Sequence, residues 1–358
     1  MRAPIDSLRA PIESLREPID SLREPIESSL LADRAWSRLG FEVELLTPAG
    51  ASRLTFAEEL ADRFGGSIRP VFHHDTEPSL VKGRPIFHHL ATAVDVVSRH
   101  GAMICRMVDD VTILADLDRD AEPTPGWYRI LSDEPRLLRL VEQLADPTAP
   151  IDQVLDPVAE AFGVKVERLD GDTFRLDDTS GATVAIAAPQ GGQRERVCEV
   201  ITPPISADHE RTLDTILSPA RELGLAIPAE AAVHVHLDAA PFRSAVMLRA
   251  LVKLFADDRD ELWTALGTNR RCRRLGPLPD ELVAGVAAPG FTDKPWAEIA
   301  RWLATLPLSK FSDCNLVKLA RPGNPVDTVE LRTLPGAIGG GAIMAGVETL
   351  KRGFLQRL

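Results

Sequence analysis

Four short segments of the chain alternate apolar residues with acidic residues or histidines. They lie at residues 40–45 (GFEVEL), 198–204 (CEVITPP), 233–238 (VHVHLD) and 329–333 (VELRT). Successive side chains of a β-strand point to opposite faces of its sheet, so each segment predicts a half-buried strand whose polar groups share one face. We therefore expect a sheet with one apolar face that other elements cover.

The remaining segments mix strands and helices without a regular β–α period, which favours the α+β class with a largely antiparallel sheet. We predict further strands at residues 102–107, 111–117, 164–169, 173–176, 182–187 and 326–331. Helices are predicted at residues 55–64, 85–98, 135–144, 152–162, 209–223, 242–255, 296–304 and 342–358. Thr55 is a candidate N-cap, because Glu58 follows it at the spacing of a capping box.

Composition narrows the classes of partner. The 358 residues are 44% hydrophobic, enough for the core of one large or two ordinary domains, and the net charge is −12. An acidic chain repels polyanions, which argues against nucleic acid and anionic membranes as partners and favours a metal ion or a metal-bound phosphate. No apolar run approaches the roughly 18 residues of a membrane span, and no signal peptide pattern is present, so we expect a cytoplasmic protein.

The N-terminal segment is a tandem repeat. Residues 1–29 contain the heptapeptides RAPIDSL, RAPIESL, REPIDSL and REPIESS, each with a proline in the third position. An interior proline costs a helix about 3 kcal/mol, so the repeat does not predict a coiled coil. We expect a mobile extension over residues 1–29 and a catalytic domain over residues 30–358, with an insertion or connection at the Pro-rich stretch 121–150.

The pair of histidines in VHVHLD is the strongest chemical signal. Two imidazoles on one strand face suit a divalent metal or a phosphate, although a solvated pair has the same pattern. Magnesium prefers carboxylate oxygens and manganese also accepts imidazole. The glutamates of the four segments would supply the oxygens; they are Glu42, Glu44, Glu199 and Glu330.

Taken in order, G-x-E-x-E, E-V-I-T-P-P, H-V-H and E-L-R resemble the signature series of the amidoligase family, a group of glutamine-synthetase-like carboxylate–amine ligases. The resemblance covers the chain from residue 36 to its end. It implies a glutamine-synthetase-like catalytic core with a curved, largely antiparallel sheet and flanking helices. It also implies an ATP-dependent ligase that forms an amide bond through an acyl phosphate, with two Mg²⁺ or Mn²⁺ ions.

The resemblance assigns metal ligands residue by residue. Glu42 and Glu44 match the glutamates that bind different ions of a two-metal ATP site, and Glu199 matches a carboxylate that helps to hold one of them. His234 matches a contact to metal and phosphate, and Glu330 matches the last metal ligand.

The same resemblance assigns residues to the nucleotide and to catalysis. His236 matches a companion of the first histidine near nucleotide or substrate, and Arg332 matches the arginine that meets the phosphoryl group. Asn315 and Lys318 fall where relatives often carry an asparagine and a basic residue at the nucleotide. The base that deprotonates the amine stays open between Asp110 and Asp238.

Other polar clusters have ordinary explanations. The arginines of NRRCRRLG predict either a solvated helix end or a contact to phosphates; they are Arg270, Arg271, Arg273 and Arg274. The histidine pairs at residues 73–74 and 88–89 are interpreted as structural.

Two alternative functions remain open. The H-x-H pair also occurs in metal-dependent amide hydrolases, but the 122 residues after His236 are too few for the rest of a β/α barrel. A non-catalytic ATP- and metal-binding module that uses the repeats for interaction is the other alternative. The identity of the carboxylate and amine substrates is not encoded in these motifs.

Overall fold

The computed structural model describes residues 29–78, 86–321 and 327–358. The repeat extension predicted for residues 1–29 lies outside the described residues, except for its last position. Residue 326, at which a strand was predicted to begin, also lies outside them.

The four strands with alternating polar residues are neighbours in one sheet. They are β1 (Leu39–Leu46), β9 (Val197–Ile201), β10 (Ala232–Asp238) and β12 (Thr328–Pro335). The order β12-β10-β1-β9 places β1 between β10 and β9, and all three pairs are antiparallel. The polar faces of the four strands therefore form one continuous surface.

Eight further strands extend this sheet. They are β2 (Ser67–Pro78), β3 (Ile86–Val97), β4 (Met103–Val108), β5 (Tyr128–Ser132), β6 (Glu167–Arg168), β7 (Phe174–Asp177), β8 (Thr183–Pro189) and β11 (Cys314–Asn315). The full order is β11-β12-β10-β1-β9-β4-β3-β5-β8-β7-β6, with β2 paired to β3. Every pair of named strands in the described ranges is antiparallel, so these residues contain no parallel barrel of the kind that the hydrolase alternative requires.

Helices cover the apolar side of the sheet. They are α1 (29–37), α2 (Arg53–Arg63), α3 (Pro135–Leu144), α4 (Asp156–Phe162), α5 (His209–Glu222), α6 (Ala245–Ala256), α7 (Arg259–Leu266), α8 (Asp280–Ala287), α9 (Trp296–Leu303), α10 (Val317–Ala320) and α11 (Gly340–Leu355). Phe41 and Val43 of β1 share a buried cluster with Leu213 of α5, Leu251 of α6 and Val347 of α11. The α+β class with a large antiparallel sheet is confirmed.

No helix within the described ranges has both the length and the apolar character required to cross a bilayer.

Two predicted elements are wrong. The segment predicted as a helix at residues 85–98 is the strand β3, which pairs with β2 at twelve positions. The segment predicted as a strand at residues 111–117 forms turns, and its apolar side chains Ile113 and Leu117 fill a small core with Leu46 and Val197. In the first case, pairing with the preceding strand β2 determines the conformation. In the second case, the segment joins none of the described strands, and its two apolar side chains are buried from a run of turns.

The start of α2 also differs from the prediction. Its N-cap is Ser52, whose side chain accepts a hydrogen bond from the backbone N–H of Thr55, and the Thr55 hydroxyl accepts one from the Ser52 backbone. The capping box therefore uses a Ser/Thr pair three residues upstream of the predicted one.

Candidate metal centre

Strand register brings the glutamates of β1 opposite the polar residues of both neighbouring strands. Glu42 lies opposite His234 of β10, and Glu44 lies opposite Glu199 of β9. Directly opposed side chains on one face have Cβ atoms about 5 Å apart, so carboxylates and imidazoles meet. Gly40 lies opposite His236, and a Cβ at Gly40 would approach the His236 Cβ within 3.3 Å. The glycine of G-x-E-x-E thus leaves room for the second histidine.

Strand β12 adds the last glutamate and an arginine. Glu330 lies opposite His236 on one side and opposite Asn315 of β11 on the other. The register between β10 and β12 shifts between Val233 and Val235, at the position of His234. Such an irregularity re-aims a side chain, and here it accompanies the convergence of His234 on carboxylates from two strands.

Glu42 is the centre of the cluster. Its Oε2 lies 2.8 Å from His234 Nδ1, and its Oε1 lies 2.9 Å from His236 Nε2. His234 Nδ1 also lies 3.3 Å from Glu330 Oε1, and His234 Nε2 lies 3.4 Å from Glu44 Oε1. One carboxylate therefore contacts both imidazoles at the same time.

Two groups of three residues have the spacing of metal ligands. The first is Glu42, Glu199 and His234, and the second is Glu42, His236 and Glu330; within each group the candidate ligand atoms lie within 4.8 Å of one another. The two groups share Glu42. Glu44 belongs to neither group; its Oε2 accepts a hydrogen bond from the backbone N–H of Ala232 at 2.8 Å.

The donor set fits a divalent cation. The Nε2 atoms of His234 and His236 are buried and make no hydrogen bond of good geometry within the described residues, although carboxylate oxygens lie close to both. Carboxylate oxygens with added imidazole nitrogens suit magnesium or manganese.

The carboxyl pKa values show an excess of negative charge. Burial raises the pKa of Glu199 well above its usual range, and the nearby charge of Glu42 raises it further. Burial likewise raises the pKa of Glu44, together with the charge of Asp110. Burial also opposes ionisation of Glu42, but His236 and His234 outweigh it and hold its pKa well below the ordinary value. The cationic groups of the protein thus neutralise only part of the negative charge of these glutamates, as expected of a site that binds a cation.

Arg332 and Asn315 each donate a hydrogen bond to the carboxylate of Glu330. Arg332 donates from Nη1 to Glu330 Oε1, and Asn315 donates from Nδ2 to Glu330 Oε2 at 2.8 Å. Burial opposes ionisation of Glu330, and Arg332 outweighs burial, so its pKa is lowered. Arg332 is itself buried, so its guanidinium is fixed beside the cluster.

Lys318 lies on α10, close enough to affect His236. Burial lowers the pKa of His236, but Glu42 and Glu330 outweigh it and raise the pKa, while Lys318 opposes them. The structure thus brings Lys318, like the other predicted site residues, to the neighbourhood of the cluster.

The two candidate bases lie in different surroundings. Asp110 is buried at the end of β4, hydrogen-bonded to Glu44, and its Oδ1 lies 3.1 Å from Arg274 Nη2. Burial opposes ionisation of Asp110, and Arg274 outweighs burial and lowers its pKa. Asp238 is on the site face at the end of β10, with a side chain 41% exposed and Arg34 at 3.9 Å.

Arg274 is a site residue that the sequence pattern did not single out. It is buried against Asp110, whereas its neighbours Arg270, Arg271 and Arg273 are exposed. The cluster NRRCRRLG therefore has one arginine in the wall of the site and three at its surface. Burial and the contact to Asp110 distinguish Arg274 from the other three arginines, and neither is visible in the sequence.

A buried ion-pair group supports the turn that carries Asp110. Arg129 and Arg194 both donate to the carboxylate of Asp109, and Gln190 donates to it at 3.1 Å. Arg194 also donates to the backbone carbonyl of Asp110. The Asp109 group thereby fixes the backbone from which Asp110 reaches Glu44.

A family model described as "Putative amidoligase enzyme" matches residues 36–352 of the chain. A search of curated proteins and a search of solved structures each found no match.

Proposed function

The chain belongs to the amidoligase family, and from that premise we propose that it is an ATP-dependent carboxylate–amine ligase. It joins a carboxylate to an amine through an acyl phosphate, in a glutamine-synthetase-like catalytic core with a curved sheet. The observation that supports this proposal most strongly is the pair of metal-ligand groups that share Glu42.

The two groups would hold two Mg²⁺ or Mn²⁺ ions. Glu42, Glu199 and His234 would bind one ion, with Glu44 beside it, and the group of Glu42, His236 and Glu330 would bind the other. When bound, the ions would offset the negative charge of the triphosphate and of the approaching carboxylate. His236 would then be a metal ligand as well as a neighbour of the nucleotide.

Arg332 would contact the transferred phosphoryl group. A carboxylate is a poor acyl donor because its leaving group would be oxide, so it must first be phosphorylated. Two anions approach each other in that step, and a fixed guanidinium stabilises the charge between them. Asn315 of β11 contacts Glu330, and the charge of Lys318 on α10 acts on His236; both residues would face the nucleotide.

Asp238 is the better placed of the two candidate bases. A base for the amine must be reachable by the substrate, and the Asp238 side chain is 41% exposed. Asp110 has a lowered pKa and is occupied by Arg274 and by the Thr112 hydroxyl. We therefore assign Asp110 to positioning Glu44.

Replacing Arg332 with Lys tests the phosphoryl contact. A lysine keeps the charge but cannot reproduce the planar guanidinium, so Mg-ATP-dependent ADP formation should fall by about 10- to 100-fold while the fold is retained. The measurement is ADP release with a panel of carboxylates and hydroxylamine as the trapping amine. Arg211→Lys on α5, whose side chain is 81% exposed, is the control. Wild-type protein without metal-dependent ADP formation on any carboxylate would contradict the proposed function.

A further inference from the structure

The site face continues past the metal groups onto β4, β3 and β2. Glu42 lies opposite Ile201 of β9, and Ile201 lies opposite Arg106 of β4. Directly opposed residues share a face, so Arg106 stands in the same cross-strand row as Glu42, with one strand between them. Neighbouring strands lie about 4.8 Å apart, which puts the two Cα atoms roughly 10 Å from each other.

A buried carboxylate holds the guanidinium of Arg106 in place. Asp95 of β3 lies opposite Arg106, and its side chain has no exposed surface. Arg106 Nε lies 2.6 Å from Asp95 Oδ1, and Arg106 Nη2 lies 3.1 Å from Oδ2. This paired contact uses one edge of the guanidinium and leaves Nη1 outside it. An arginine fixed in this way is pre-organised for a second carboxylate.

The row is cationic at this end. Arg69 of β2 donates from Nη2 to Asp95 Oδ2 at 2.8 Å, so two guanidinium groups share one carboxylate. The side chains of Arg106 and Arg69 are 30% and 62% exposed, so an anion can reach both. Burial of Asp95 opposes its ionisation, and the two arginines outweigh burial and lower its pKa. The Asp95 carboxylate thus stays charged and holds both guanidinium groups in place.

The two ends of the row have opposite charges over a short span. The metal end has an excess of carboxylates. At the far end Arg106 and Arg69 share the carboxylate of Asp95, and Glu142 of α3, whose pKa burial raises and Arg106 lowers, is the next carboxyl group. His73 of β2 is on the same face as Arg69: burial lowers its pKa, and Asp75, Arg106 and Glu42 are the largest charges that act on it. A ligand with one carboxylate at the metal groups would place a second anionic group within reach of Arg106.

We propose that Arg106 binds a second carboxylate of the acyl donor, so that the donor is a dicarboxylate or an acidic amino acid. This inference rests on the proposed function for the identity of the donor, but the binding itself is independent of catalysis. Arg69 assists by sharing Asp95, which leaves more of the positive charge of Arg106 for the ligand. The distance between Glu42 and Arg106 along this row then determines which length of donor fits.

The test measures binding without turnover. Full-length protein with Mg²⁺ and no ATP is titrated with aspartate, glutamate, succinate, glutarate and adipate, and with butyrate as the ligand that has a single carboxylate. At least one dicarboxylate should bind wild-type protein, with a Kd at least tenfold below that of butyrate. Arg106→Gln should weaken that binding by tenfold or more and leave butyrate within twofold.

A matched control and a milder variant separate binding from folding. Arg175→Gln removes a strand arginine that pairs with Glu167 at 2.6 Å at the far end of the sheet, and it should leave the Kd unchanged. Arg106→Lys keeps the positive charge but loses the paired contact to Asp95, so it should weaken dicarboxylate binding by several-fold even if the Gln variant fails to fold.

Three results would overturn the inference. One is a wild-type protein that binds no dicarboxylate better than butyrate. Another is an Arg106→Lys variant with unchanged dicarboxylate affinity. The third is an effect of the Arg106 variants on the KM for ATP in place of the donor, which would assign Arg106 to a phosphate. Dicarboxylate binding that depends on Arg106 without any ADP formation would support the subsite and contradict the proposed ligase.

Discussion

Replacing Glu42 with Gln should reduce metal-dependent ADP formation by at least about 100-fold, equivalent to about 3 kcal/mol of transition-state stabilisation. Glu42 is the residue that both ligand groups share, and its two oxygens face different histidines. An amide at this position offers one weak oxygen donor in place of two charged ones, so both ion sites lose affinity together.

The same substitution should also destabilise the metal-free protein. His236 and His234 hold the pKa of Glu42 below its ordinary value, so the ionised carboxylate contributes stability at neutral pH that the amide lacks. We expect a melting temperature without metal below that of the wild type, and we expect the increase that Mg²⁺ causes in the wild type to disappear. Glu59→Gln, an exposed position on α2 that pairs with Arg63, is the control with full activity. A Glu42→Gln variant with wild-type ADP formation would contradict the assignment.

Replacing Asp109 with Asn should lower the free energy of unfolding by about 3–5 kcal/mol, because the change leaves buried cations without their anion. Arg129 and Arg194 donate to Asp109, and the buried guanidinium of Arg53 lies close to the same group. Urea denaturation at pH 7 measures the change. Asp62→Asn on the exposed side of α2 is the control, with an expected change within about 0.5 kcal/mol.

The contribution of Asp109 to the free energy of unfolding should also depend on pH. Burial opposes ionisation of Asp109, but Arg194 and Arg129 outweigh it and hold its pKa below the ordinary value. A carboxyl whose folded pKa lies below its unfolded value, about 3.9, stabilises the protein above that pH and loses this contribution as the pH falls. The difference between wild type and Asp109→Asn should therefore shrink by about 1.4 kcal/mol per pH unit below about pH 4. An equal difference at pH 7 and pH 3 would contradict the role of the charge.

The residues of the candidate metal centre could be predicted because each lies in a short strand with its own period-two pattern. In VHVHLD the alternation alone places His234 and His236 on one face, and the structure confirms that strand. These patterns do not predict the adjacency of β1, β9, β10 and β12. Glu44 and Glu199, for example, are separated by 155 residues, and no local pattern encodes the pairing of their strands.

The contacts that support the centre could not be predicted, because they join distant segments of the chain. Asp110 and Arg274 are 164 residues apart, and each occurs in a segment that looks like a polar turn. The sequence does not distinguish a buried arginine from a solvated one, so only the fold reveals that Arg274 belongs to the wall of the site.

The wrong prediction for β3 concealed the cationic end of the row. Residues 85–98 have apolar positions that also match helical spacing, and a helix would not place Asp95 opposite Arg106. As a strand, β3 pairs with β2, β4 and β5, and its odd-numbered residues share the face of the metal groups. The recognition of Asp95 and Arg106 therefore depended on sheet pairing, which propensity and periodicity do not determine.

The stoichiometry of Mn²⁺ binding tests the central claim most directly, since the claim is that Glu42 is shared by two ion sites. Equilibrium titration followed by electron paramagnetic resonance should find two Mn²⁺ ions per wild-type chain, and the two spins should be coupled because the sites share a ligand. Glu42→Gln should lose high-affinity binding at both sites, whereas Glu59→Gln should retain both. A wild-type chain that binds no Mn²⁺, or a Glu42→Gln variant that still binds two ions with unchanged affinity, would contradict the account.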